Sequence, residues 1–95
     1  MTLTHKNSSI NIEGSVKNSE DLSTLKVAIE SSIVNSNALT LVFKDTFVIN
    51  SSLIGYLVNL INEKNIDISV HVGNDALYEL IDYLGMKTLL KLQMI

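Results

Sequence analysis

The chain has 95 residues, enough for one small domain with its own core and too few for two domains of ordinary size. Its 46% hydrophobic and 18% charged residues, with a net charge of −3, exclude an intrinsically disordered segment. The absence of cysteine excludes disulfides and thiolate metal sites and favours the cytoplasm. We therefore interpret residues 1–95 as a single domain.

Membranes and nucleic acids are both unfavourable partners for this sequence. The first residues lack the apolar core of a signal peptide, and no apolar run reaches the roughly 20 residues of a membrane span. All seven basic residues are lysines, and they are scattered, so no arginine is present to bind phosphate or guanine in a forked geometry. We expect a soluble cytoplasmic protein with no membrane insertion and no nucleic-acid partner.

Alternating apolar and polar residues predict the strands. The alternation is clear over residues 10–15, 39–44 and 66–72, and the residues around Leu3 are a candidate short first strand. A sheet covered on both faces would show continuous apolar runs instead. We therefore expect helices mainly on one face.

Apolar residues at helical spacing predict a first helix and a third helix, one before and one after the second helix described below. Asn18 or Ser19 is placed to cap the first, Asn74 caps the third, and Gly85 is placed to stop it. A final short helix is predicted over residues 86–92. The apolar stripes are Leu22, Leu25, Ile29 and Ile33 in the first helix, and Leu77, Leu80, Ile81 and Leu84 in the third.

The second helix is predicted to begin at Ser51 or Ser52, directly after an apolar strand, with Ser51 the expected cap. It ends around residues 63–65. The element order predicts an α/β fold with a mixed sheet of four to five strands, in which the opening pair is antiparallel and later strands are partly parallel.

Constellations typical of enzymes are weak in this sequence. His5 and His71 are far apart, and the four glycines are isolated and form no phosphate-binding loop. Glu79 and Asp82 are explained by solvation of an outer helical face. We predict no catalytic site, no metal and no cofactor, and interpret the chain as a binding protein.

One face of the second helix has the composition of a docking surface. Ser52, Tyr56, Asn59 and Glu63 fall at i, i+4, i+7 and i+11, opposite the apolar stripe, and Gly55 lies beside them. A phosphate at the first turn would add about −1.5 to −2 charge there. The simpler interpretation is that the hydroxyls only cap and solvate the helix.

Residues 50–55 resemble the signature of the STAS domain family, the anti-sigma factor antagonists and related modules, in which Asp-Ser-Ser/Thr/Ala-Gly-Leu-Gly opens a helix. Segments 10–16, 65–73 and 84–90 look like the family's early strand, its later strand, and its closing turn with the final helix. Within the signature, Asn50 stands for the aspartate, Ser51 and Ser52 match the hydroxyl pair, Leu53 and Ile54 replace glycine and leucine, and Gly55 matches the last glycine.

The resemblance implies a STAS-like fold and a regulatory function. In that family a partner kinase or anti-sigma factor docks on the helix after the signature, and phosphorylation of the hydroxyl residue releases it. Carried over, Ser52 and then Ser51 are the candidate phosphoacceptors. The implied partner-binding residues are Asn50, Leu53, Gly55, Tyr56 and Asn59.

Two departures from the signature suggest an alternative. Asn50 removes a carboxylate, and Leu53 adds a side chain where the family backbone is bare. They favour an interaction module that binds without phosphorylation, such as a scaffold subunit or the soluble partner of a lipid or anion transporter. A small hydrolase using Ser51 and His71 is the third hypothesis, although no base is indicated near either serine.

Overall fold

The computed structural model describes residues 1–95 and contains a five-stranded mixed sheet and three helices. The strands lie along the sheet in chain order; the first pair is antiparallel and the remaining pairs are parallel. The predicted α/β fold and the antiparallel opening pair are confirmed. The strands are β1 (Thr2–Lys6), β2 (Ser9–Glu13), β3 (Ala38–Phe43), β4 (Asp67–Val72) and β5 (Gln93–Met94), and the helices are α1 (Ser19–Ser32), α2 (Ser51–Lys64) and α3 (Asp75–Tyr83).

The two faces of the sheet differ in burial, as the alternating sequence predicts. In β3, Leu39, Leu41 and Phe43 are buried, whereas Thr40 and Val42 between them are half-buried. β2 and β4 bury every second residue in the same way. The buried apolar residues of strands and helices form one core of 23 residues, so the helices cover one face and the other lacks a helical layer.

Asparagine begins all three helices. Asn18, Asn50 and Asn74 have extended backbones, and the side-chain oxygen of each accepts a hydrogen bond of 2.8 Å from a backbone N–H in the first turn. This confirms the predicted caps of α1 and α3. The prediction that Ser51 caps α2 is wrong, because Asn50 occupies that position and Ser51 is the first helical residue.

The end of α3 confirms one prediction and corrects another. Gly85 has a φ of +76°, a conformation that favours glycine, and it ends the helix as expected. The predicted apolar stripe of α3 is only half buried. Leu77 and Ile81 are fully buried, but Leu80 and Leu84 keep 39% and 43% of their surface exposed.

The predicted final helix over residues 86–92 is wrong. The segment makes one turn, with the Leu90 N–H donating to the Met86 carbonyl, and Lys91 then adopts a left-handed conformation with a φ of 47°. This reversal lets Leu90 and Leu92 enter the core. The chain continues as β5, which pairs with β4 and adds a fifth strand.

Candidate functional site

The β3–α2 loop, residues 44–50, leads to the two serines and is held by other segments of the chain. Thr46 is fully buried, and its Oγ1 donates a 2.6 Å hydrogen bond to the Gly14 carbonyl. The Gly14 N–H donates in return to Asp45 Oδ1 at 2.9 Å. Asn74 Nδ2, from the cap of α3, donates to the Thr46 carbonyl at 2.8 Å. These bonds fix the first half of the loop.

Two backbone contacts fix the rest of the loop. The Val16 N–H donates to the Val48 carbonyl at 2.9 Å, which forms a short parallel bridge between residues 16 and 49. On the other side, Gly73 lies so close that a Cβ atom there would be 2.0 Å from the Lys44 carbonyl oxygen. Glycine is therefore required for this approach. The loop enters α2 with a defined backbone.

The two serine hydroxyls are accessible. Ser51 and Ser52 are both exposed in the first turn of α2, and neither hydroxyl makes a hydrogen bond to the protein. The first turns of α1 and α3 contain acidic residues, but that of α2 contains none. The positive end of the α2 dipole therefore has no carboxylate from its own first turn, a position where negative charge is favourable.

The predicted partner-binding residues separate by burial. Gly55 and Asn59 are exposed, and a Cβ at Gly55 would meet nothing within 4 Å. Asn50 and Tyr56 are half-buried. Leu53 is fully buried in the core, so the prediction that it contributes to the docking surface is wrong. Its side chain points inward because it belongs to the apolar stripe of α2.

Tyr56 connects α2 to α1. Its hydroxyl donates to Glu30 Oε1 at 3.3 Å, and Lys26 Nζ lies 4.9 Å from the centre of its ring. Burial, the negative charge of Glu30 and this hydrogen bond raise the pKa of Tyr56 to about 12. The surface around Tyr56 therefore includes α1, which the period of α2 alone does not predict.

Two exposed apolar residues that precede the serines in the chain were not predicted from the sequence. Phe47 and Val48, in the β3–α2 loop, keep 61% and 49% of their surface exposed. The alternation of β3 ends at Phe43, and this is the signal that could have assigned them to a loop. The residues that form what we call the serine surface are Phe47, Val48, Ser51, Ser52, Gly55, Tyr56 and Asn59.

The two histidines lie in strands, whereas the serines lie at the start of α2. His71 is half-buried in β4, on the sheet face without helices, and pairs with Val42 and Gln93. His5, in β1, lines a polar cavity of about 320 Å³ between the β1–β2 turn and the end of α1, and neither Ser51 nor Ser52 lines it. No three His, Asp or Glu side chains are grouped as metal ligands.

Comparisons with known proteins find no match for this chain. No protein-family model matches the sequence, and no curated protein or solved structure is significantly similar to it. None of the three helices combines the length and apolar character needed to cross a membrane. The geometry of the serine surface is therefore the basis for a functional proposal.

Proposed function

We propose that this chain is a STAS-like regulatory module of the cytoplasm that binds an anti-sigma factor or a related serine kinase through the serine surface. Phosphorylation of Ser52 releases the partner. The observation that carries the proposal is the pair of exposed, unbonded hydroxyls at the start of a helix entered through a fixed loop. The resemblance of residues 50–55 to the STAS signature supports the partner class.

The surface has the mixture of groups that a regulated interface needs. Phe47 and Val48 offer exposed apolar area, and Gly55 allows a partner backbone to approach α2 closely. Because hydrogen bonds already order the loop, binding loses little backbone entropy there. A partner that buries the Ser52 hydroxyl between these groups is sensitive to any charge placed on it.

Phosphorylation at Ser52 is compatible with the helix and unfavourable for the interface. A kinase transfers the γ-phosphoryl group of ATP to Ser52 Oγ, releasing ADP, while the hydroxyl proton passes to the kinase. The added charge of about −1.5 to −2 is tolerated at a helix N-terminus. The same charge in an apolar contact is desolvated at a high cost, and the partner dissociates.

Ser52 is the preferred acceptor over Ser51 because of its position on the helix. Residues 52, 56 and 59 follow the helical repeat of i, i+4 and i+7, so Ser52 shares a face with Tyr56 and Asn59. Ser51 is displaced from Ser52 by about 100° around the helix axis.

The test compares a negative charge at Ser52 with a negative charge in the first turn of another helix. Ser52→Glu is expected to abolish capture of the partner from the native host, whereas Ser52→Ala retains it. Ser19→Glu is the control, because Ser19 is an exposed serine in the first turn of α1, a helix that is also capped by an asparagine. Mass spectrometry of the protein from that host is expected to find phosphate on Ser52. Unmodified serines together with unchanged capture by Ser52→Glu would contradict the proposal.

Asn50 favours one alternative, an interaction module that binds without phosphorylation. Its amide oxygen supplies the capping hydrogen bond that an aspartate would make, but the residue lacks the aspartate's charge. This alternative predicts a partner captured through Phe47 and Gly55, with no phosphate on either serine. Loss of capture on Phe47→Ser together with unmodified Ser52 would support it over the phosphorylation switch.

A further inference from the structure

A second surface, on α3, has more exposed apolar area than its packing on the sheet requires. Leu80, Tyr83 and Leu84 stand at i, i+3 and i+4 and therefore share one face of the helix. Their exposed fractions are 39%, 88% and 43%. The core contact of α3 is made by Leu77 and Ile81, which are fully buried. We call Leu80, Tyr83 and Leu84 the α3 stripe.

The α3 stripe is bordered by a row of acidic residues. Asp75, Glu79 and Asp82 stand at i, i+4 and i+7, and about 100° per residue places this row next to Tyr83. The helix itself contains no lysine. Lys87, which follows the helix, lies with its Nζ 5.5 Å from the centre of the Tyr78 ring, about 140° around the helix from Tyr83. Its contact with Tyr78 and the negative charge of Asp82 raise the pKa of Lys87, so this lysine lies at the edge of the acidic row away from Tyr83.

We propose that the α3 stripe binds a basic amphipathic helix, with apolar side chains on the stripe and lysines or arginines facing the acidic row. Charge complementarity selects this occupant. A second copy of the chain in a two-fold contact through α3 would place the same three carboxylates opposite each other. An anionic membrane surface repels the same row.

This inference does not depend on the proposed function. The α3 stripe and the serine surface share no residue and lie on different helices. Failure of the phosphorylation switch leaves the α3 prediction unchanged, and failure of the α3 prediction leaves the switch unchanged.

The probe is a synthetic helix of about 14 residues in which leucines follow the helical period and lysines fill the other positions. A matched peptide carries glutamate in place of lysine. The full chain is titrated with each, and binding is measured by fluorescence anisotropy of the labelled peptide. Amide chemical shifts of the isotope-labelled protein locate the contact. The lysine peptide is expected to bind and to shift the signals of residues 75–85, and the glutamate peptide is not.

Variants of exposed residues assign the binding to the α3 stripe. Tyr83→Ser combined with Leu84→Ser is expected to weaken binding of the lysine peptide about tenfold or more. Glu79→Lys is expected to weaken binding of the lysine peptide while leaving the apolar residues of the α3 stripe unchanged. Val27→Ser combined with Val34→Ser is the control, because Val27, in α1, and Val34, just after α1, are 67% and 73% exposed and lie outside α3. All the sites are solvent-accessible, and circular dichroism is used to check that each variant is folded.

Several outcomes would overturn the inference. Equal binding of the lysine and glutamate peptides would remove the charge argument. Chemical-shift changes confined to other elements, or equal weakening of binding by the Val27 and Val34 control, would remove the α3 stripe as the site. Concentration-dependent self-association that Tyr83→Ser abolishes would identify a second copy as the occupant and exclude the basic helix.

Discussion

At the scale of single residues, Asn50 and Tyr56 show how local chemistry shapes the serine surface. Asn50 orients the first turn of α2 through its hydrogen bond to the Ser52 N–H, so the N–H beside the proposed acceptor is already occupied. Tyr56 is held against α1 by Glu30 and Lys26. Both side chains are part of the scaffold of the surface, and this gives each a measurable effect on stability.

Removal of the Asn50 cap is expected to destabilise the protein. Asn50→Ala lowers the free energy of unfolding by about 1 kcal/mol, because the Ser52 N–H loses its acceptor. Asn50→Asp keeps that bond and adds about 0.3–1 kcal/mol through the helix dipole. Urea denaturation measures the free energy of unfolding of both variants. Asn18→Ala, which removes the corresponding cap of α1, serves as the matched comparison. Equal stability of wild type and Asn50→Ala would contradict the capping geometry.

Tyr56 predicts a pH dependence at high pH. Its pKa is raised from 10.0 to about 12, so the folded state favours the neutral phenol. The stabilisation is complete below about pH 10 and is lost as the pH rises through about 12. Ultraviolet titration of the phenolate, with Tyr56→Phe as the reference, measures the pKa of the residue.

Glu30→Gln separates the causes of the Tyr56 shift. The variant is expected to lower the pKa of Tyr56 part of the way towards 10, because burial, the largest cause, remains. A Tyr56 pKa unchanged by Glu30→Gln would show that the hydroxyl does not contact α1 in solution.

At the scale of elements, the sequence predicted those features that depend on residues close to one another in the chain. The period of α3, its cap and its glycine stop lie within a dozen residues, and the structure contains all three. The segment 86–92 was assigned incorrectly because one helical turn and a short helix have the same local pattern. Pairing of β5 with β4, about twenty residues earlier in the chain, decided its conformation.

At the scale of elements, replacing Gly55 or Gly73 by alanine is expected to change the free energy of unfolding in opposite directions. Gly55→Ala is expected to raise the free energy of unfolding by about 0.5–1 kcal/mol, since the added methyl group meets no atom and alanine favours helix. Gly73→Ala is expected to lower it by about 3 kcal/mol, because the Cβ would collide with the Lys44 carbonyl oxygen. Thermal and urea denaturation measure both. Destabilisation by Gly55→Ala would show that α2 has a close neighbour there.

At the scale of the whole molecule, long-range contacts complete the candidate site. Exposure of Ser52, Gly55 and Asn59 follows from the period of α2 and is predictable from the sequence. The hydrogen bonds of Thr46 and Tyr56 are not predictable in that way, because they join residues 26 to 32 positions apart. Such pairs are defined only when the sheet brings their segments together.

Hydrogen exchange is expected to divide the sheet into centre and edges. β3 lies between β2 and β4 and carries fully buried side chains, so its amides exchange only on global unfolding. The amides of β1 and β5, each with one neighbouring strand, exchange faster through local opening. Measurement by NMR in deuterated water tests this order, and equal protection of β5 and β3 would contradict it.

The order of strands along the sheet also affects how the chain folds during synthesis. Because β1 to β5 are neighbours in the order in which they are translated, every new strand joins an edge that already exists. None has to insert between two strands that have already paired. By the time Phe43 leaves the ribosome, three adjacent strands and α1 are available, and three strands with an apolar face meet the minimum for independent stability.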